Sequence, residues 1–538
     1  MTWGLLNEFD IITIILLLSA TWIYSIFFKK YTKTLKEYYI AGKIIPWWMV
    51  GIDLASVALD IGNLYFTLTW CYAWGWFGFS QNMPWGWVAG SWFLSMWILP
   101  AMYRLGVITN TTWLEARFDS SMRQLAAWMQ ILQRSYVLSG MLIGIAILFE
   151  VTTGIKFYEG IALAGVISVI ATALGGKVYV MASEVVQAVF SMIAGFVLLF
   201  FVIMRLGLAN FLEMLSPWMH WVKVPMEVVK GIPNEVAFIG MVLVCATYGI
   251  INQEYISKAL SGRTEHEART ALWFPNMLVW SLWMLPFAYL GIIGRQLYPG
   301  VKPADYVLGY FIRDYIPIGL LGFIIGGFIA TSADFGSTTQ TIASLLTIDF
   351  YKRYIKKEAP EDHYVKLSKI LTILWCIIPA IWVPFQMALP FVAMLYIMVT
   401  GAIVTPTFVP YIVGAVSKFF SRKSAFIGCI TGGIVGLAIN IINSFVTPLP
   451  PWLSHSWMVP IYSTSICLVV MIIVSLIENK VKGPLSDEEL MGVVITLPTK
   501  YIKMKPVQNI ISSRIQRIKL NHSSLISGQF IGGEQCVA

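Results

Sequence analysis

Long apolar runs alternate along the chain with short polar joints. A helix needs about 20 residues to cross a bilayer. Thirteen runs are of that order: 10–28, 47–72, 79–103, 123–153, 158–174, 178–204, 236–255, 270–296, 317–348, 366–386, 388–416, 424–446 and 457–477. The pattern predicts an all-α polytopic membrane protein with about 13 transmembrane helices. The first run has no basic leader and no small-residue cleavage site, so it reads as a retained helix.

Basic residues sort the joints. Lys29 to Lys36, Arg104 to Arg123, Lys177, Lys258 to Arg269, Lys352 to Lys357, Lys418 to Lys423 and Lys480 to Lys482 fall in alternate joints. Thirteen crossings bring them all to one side, with the N-terminus outside and the C-terminus cytoplasmic in a cell membrane, inner or plasma.

Two runs are interrupted. Segment two, WWMVGIDLASVALDIGNLYF, carries Asp53 and Asp60 two turns apart on one face, with Gly62 beside the second acid. Segment seven, MVLVCATYGIINQEYISKAL, places Thr247, Tyr248, Gly249 and Asn252 in mid-membrane. Such residues let a helix unwind where the freed backbone lines a cavity. The two segments are five apart, and an odd spacing inserts two halves with opposite orientation. This predicts a five-plus-five inverted-repeat transporter core over 47–416, with halves 47–204 and 236–416. Around it stand an N-terminal helix and basic loop (1–46), two C-terminal helices (417–477) and a basic cytoplasmic tail (478–538) suited to anionic lipid.

Composition narrows the class. The chain is 58% hydrophobic and 12% charged, with a mean hydropathy of +0.73, which excludes a soluble domain of this length. The net charge of +9 sits in the joints, as topology requires, so no nucleic-acid partner is expected. The six cysteines are scattered without paired spacing and read as packing residues.

Four ionisable positions stand out inside the apolar runs: Asp53, Asp60, Arg134 and Asp334. A charge at membrane depth costs ~2.5–3.5 kcal/mol on insertion scales and marks function by default. Asp334 lies in IATSADFGSTTQTIAS, among hydroxyls. Close helix packing explains most of those hydroxyls but not the acid, and the combination suits a small hard cation. Arg134 has two readings, an ion pair with Asp60 or Asp334 or a planar fork for a substrate carboxylate. Asp53 is expected near a rim and solvated. Glu184 is either an ion ligand or a plain helix-end acid. Asp60, Asn63, Gln81, Asn82 and Asn252 are cavity candidates by helix position. No nucleophile, metal cluster or phosphate loop suggests an enzyme. An acid and base pair of Asp60 and Asp334 would need both in one pocket with no ion between them.

Five stretches, YYIAGKIIPWW (38–48), TWLEARF (112–118), GGKVYVMASEVVQ (175–187), YGIINQEYISKALSG (248–262) and LLTIDFYKRY (345–354), resemble the sodium:solute symporter family of sodium-coupled sugar, proline, pantothenate and sialic acid carriers. The resemblance implies sodium-binding positions at Ala330, Ala333 and Asp334, with Ala55 and Ala58 as carbonyl donors on the broken helix. Ala333 lacks the family's hydroxyl and Asp334 brings a carboxylate, so sodium is the expected coupling ion and a proton the alternative. Tyr248 matches an aromatic inner gate. The sugar-holding amides fall on Gly62 and Cys245, so a hexose held in the same way is not expected. The place of Arg134 is similar to that of the acid-binding arginine of the sialic acid carriers and implies a small carboxylate or zwitterion. The expected function is sodium-coupled uptake of a small polar organic solute. A proton-coupled symporter of the same fold and a transporter-like membrane sensor are the alternatives.

Overall fold

In hydrocarbon every backbone N–H and C=O must find its partner within the chain, and helices do so locally. The computed structural model describes residues 5–28, 33–57, 61–80, 85–173, 176–219, 231–331 and 334–495. Among them the regular structure is helical, with one isolated bridge between Ile45 and Gly262.

In chain order the main helices are α1 (Glu8–Phe28), α2 (Trp47–Ser56), α3 (Ile61–Trp74), α4 (Trp85–Leu105), α5 (Asn110–Arg117), α6 (Ser120–Thr153), α7 (Phe157–Ala173) and α8 (Lys177–Leu206). There follow α9 (Asn234–Ile251), α10 (Gln253–Ala259), α11 (Glu265–Leu297), α12 (Leu321–Ala330), α13 (Asp334–Ser344), α14 (Glu361–Met387), α15 (Ala393–Val416), α16 (Ser424–Val446) and α17 (Val459–Lys482). Among the described residues, 8 helices are long and apolar enough to cross a membrane singly, or up to 10 with α2–α3 and α4–α5 each taken as one bent span. The remaining expected segments correspond to α1, with 21 residues, the 17-residue α7, and α12 with α13.

Local chemistry sets the helix ends. The Asp119 carboxylate accepts from the Met122 amide at 2.9 Å and starts α6. Gly154, with φ of 76°, ends it. Helix α11 runs along both halves of the bent pair α2–α3. Gly291 permits that approach, because a Cβ there would stand 2.2 Å from the Leu68 carbonyl oxygen. Small residues at such crossings bring backbones together in membranes.

Two expectations from the charge pattern are corrected. Lys177 and Lys258, read as residues of cytoplasmic joints, are 1% and 0% exposed. Lys258 turns inward as a counter-ion to buried acids, and Lys177 donates to the Ser337 hydroxyl. Asp53, expected to be solvated near a rim, is 0% exposed. A separate clamp lies where α5 meets the segment after α13. Glu115 accepts from both terminal nitrogens of Arg353 at 2.6 Å and from Arg123 at 2.7 Å. Asp349 accepts from Arg123 and, at 3.0 Å, from Thr111.

Replacing Gly291 with Val is expected to destabilise the protein by about 1–3 kcal/mol through overpacking. A thermal melt in detergent checks this, and an unchanged midpoint would show that the α3–α11 crossing is loose.

Candidate functional site

The site forms where two helical elements are interrupted, beside the start of α13. Helix α2 ends at Ser56 and α3 resumes at Ile61 after a bend of 58°. Helix α9 ends at Ile251, and Asn252, with φ −65° and ψ 111°, starts α10 by accepting from the Glu254 amide at 3.0 Å. A side-chain oxygen in that role is a helix N-cap. Helix α13 contributes its first residue, Asp334. Short helix α10 then carries Glu254 and Lys258 one turn apart on the same face.

The Lys258 ammonium is the centre of the cluster. It donates to the Asp53 carbonyl at 3.1 Å, the Ser56 hydroxyl at 3.2 Å, the Asp334 carboxylate at 3.4 Å and the Glu184 carboxylate. The Asp53 carboxylate stands 3.6 Å away and that of Glu254 3.9 Å. The side chains of these five ionic residues are at most 3% exposed. Buried charges are tolerated only when paired and hydrogen-bonded. Lys177 on α8 donates to Ser337 on α13 at 3.1 Å.

Glu254 joins this cluster to a second cation. Its Oε2 accepts from Arg134 at 3.3 Å and from Thr338 at 2.9 Å. Arg134 in turn donates to the Tyr248 hydroxyl at 2.8 Å, with its guanidinium carbon 4.4 Å from the Tyr248 ring centroid. Arg134 is 1% exposed, and its Nη2 has no hydrogen-bond partner among the described residues.

Tyr248 also lines a cavity of about 20 Å³, bounded by Asn63, Phe66, Trp70, Trp87, Val137, Cys245, Trp280 and Tyr396 as well. That is space for roughly one water. The rings make a chain of neighbours: Trp70 to Phe66 at 6.4 Å between centroids, Phe66 to Tyr396 at 6.1 Å, Tyr396 to Tyr248 at 6.3 Å, Tyr248 to Trp87 at 4.8 Å, and Trp87 to Trp280 at 4.6 Å. Admitting a solute requires some of these rings to move.

The sequence candidates divide accordingly. Asp334 joins the charge cluster, and Asn63 and Tyr248 line the cavity. Arg134 stands one layer behind Tyr248, and its described carboxylate partner is Glu254 instead of Asp334. Asn252 acts as a helix cap. The Ala55 carbonyl accepts from the Val57 amide in a tight turn, and Ala330 is buried at the end of α12. Ala58, Asp60, Gln81, Asn82 and Ala333 lie outside the described residues. Among the described residues no three His, Cys, Asp or Glu side chains are grouped as a metal centre, and the carboxylates here converge on the ammonium. Sequence reading missed Lys258 and Glu254, although their spacing of four on a helix was a usable signal.

Comparison with known proteins gives this arrangement a context. The model of the sodium:solute symporter family matches residues 38–453. A sodium/glucose cotransporter of Vibrio parahaemolyticus is 21% identical over 507 residues, covering 86% of this chain and 88% of its own. The structure of a Na+-coupled sialic acid symporter in a substrate-bound outward-open state superimposes with a TM-score of 0.71 at 16% identity, covering 88% of this chain and 98% of that one. Mhp1, a nucleobase-cation-symport-1 family transporter, gives a TM-score of 0.54 at 10% identity, covering 86% and 98%. The two structures carry the inverted-repeat transporter fold expected from the segment pattern. With the family model matching well over half of its length, the chain belongs to the sodium:solute symporter family.

Proposed function

We propose that this protein couples inward sodium movement to the uptake of a small polar organic solute across a cell membrane, with its N-terminus outside and its C-terminus in the cytoplasm. The observation that carries the reading is the charge balance between the broken helices. Among the described residues, Asp53, Glu184, Glu254 and Asp334 gather around Lys258, with Arg134 paired to Glu254 and Lys177 donating to Ser337 on the helix of Asp334, four carboxylates against three cations. With these seven described residues ionised, one negative charge is left over among them, and a buried excess charge calls for one monovalent cation. The donor set around Lys258 consists of a carbonyl, a hydroxyl and carboxylates. Those are hard oxygen ligands, and they fit sodium.

The solute belongs in the aromatic cavity. Its flat or apolar face stacks on Tyr248 and its neighbours, while its polar group meets the Asn63 amide. Should the Tyr248 ring move aside, Nη2 of Arg134, without a hydrogen-bond partner among the described residues, is a donor for a solute carboxylate, which supports an acidic or zwitterionic solute. Coupling follows from differential binding: ion and solute each favour the conformations in which the other binds well.

Sodium is expected to raise the melting temperature of the purified protein relative to potassium or choline at equal ionic strength, by as much as about 2.7 kcal/mol of stability at a hundredfold excess over Kd. Asp334→Asn should lose most of that response. A sodium-independent stability that instead follows pH through Asp334 would make a proton the driver.

In vesicles with an inward sodium gradient, Arg134→Ala is expected to abolish uptake of an acidic solute. Retained uptake would remove Arg134 from the site.

A further inference from the structure

The oxygen cage between α2 and α13 already holds a positive charge. Lys258 Nζ is surrounded by the Asp53 carbonyl, the Ser56 hydroxyl and the Glu184 and Asp334 carboxylates, a shell of the kind that surrounds a bound cation. Two cations cannot share it, because one point would have to carry both charges at contact distance. The sodium reading therefore requires Lys258 to leave whenever the ion enters.

We infer that Lys258 is a tethered competitor of the coupling ion: its ammonium holds the cage when sodium is absent, and sodium displaces it onto Glu254. The side chain suits this role, being a compact charge on a flexible four-carbon stem. Its destination is close by. Glu254 lies one helical turn back on α10, with Oε1 3.9 Å from Nζ and without a hydrogen-bond partner among the described residues. Moving there keeps the ammonium paired and avoids the cost of an isolated buried charge.

The move also reaches the solute cavity. Glu254 is the shared counter-ion of Lys258 and Arg134, and Arg134 holds the hydroxyl of Tyr248. An ammonium arriving at Glu254 competes with Arg134 for the same carboxylate and loosens the hold of Arg134 on that network. Ion entry is thereby transmitted to the ring that lines the cavity, through two ion pairs sharing one acid. Such a relay is a coupling between sites carried by an element with two arrangements.

The inference rests on the sodium reading, and a sodium titration of melting temperature at constant ionic strength, balanced with choline, tests both. The readout is the sodium concentration at half-maximal stabilisation, which a merely weakened fold would not shift. Lys258→Gln removes the competitor and should lower that midpoint at least tenfold. Glu254→Gln removes the destination and should raise it at least tenfold. A Lys258→Gln midpoint within twofold of wild type overturns the competition while leaving sodium coupling intact. If Lys258→Gln does not fold, Glu254→Gln decides: a raised midpoint supports the exchange, and an unchanged one overturns it. If neither the wild type nor any folded variant responds to sodium, the coupling reading itself fails.

Discussion

A lysine ammonium buried among four carboxylates is the constraint around which the centre of this protein is arranged. Lys258 has no exposure, so its charge must be balanced by groups at the same depth. Those groups come from four different helices: Asp53 from α2, Glu184 from α8, Glu254 from α10 itself and Asp334 from α13. None is close to all the others in sequence. The ion cluster therefore ties the two halves of the core at the level where their helices are broken.

The breaks and the charges explain each other. An uninterrupted α2 would use the Asp53 carbonyl within its own hydrogen-bond ladder, whereas the bend at Ser56 lets that oxygen accept from Lys258 at 3.1 Å. Asn252 interrupts α9 and caps α10, which sets Glu254 and Lys258 at the start of a new helix, facing the cluster. Irregular backbone is tolerated at membrane depth only where its polar groups are satisfied by protein or by a cavity. Here the buried side-chain ions and hydroxyls supply part of that satisfaction.

One layer away the chemistry changes from ionic to aromatic. Arg134 and Tyr248 form the boundary, with the guanidinium facing Glu254 and the ring facing the cavity. The relatives named for glucose and for sialic acid carry polar solutes, yet this cavity is lined chiefly by rings. Its single amide, Asn63, also donates to the Val57 carbonyl at 3.3 Å.

The sequence by itself determined the helical class and the breaks in segments two and seven, because apolar run length and a polar residue in mid-membrane are local signals. The acid at Asp334 and the aromatic residue at Tyr248 were legible for the same reason: each stands out against its own neighbours. Lys258 did not stand out. At the edge of an apolar run, a lysine follows the same rule whether it reaches water or folds back inward, and the positive-inside pattern assigned it to a joint. Only the tertiary structure decided its direction, by bringing Asp53, Glu184 and Asp334 from distant helices to within reach of one side chain. Which carboxylate pairs with Arg134 was likewise undetermined by sequence. Ion pairing inside a membrane depends on distances across helices, and no pattern along a single strand of sequence carries those distances.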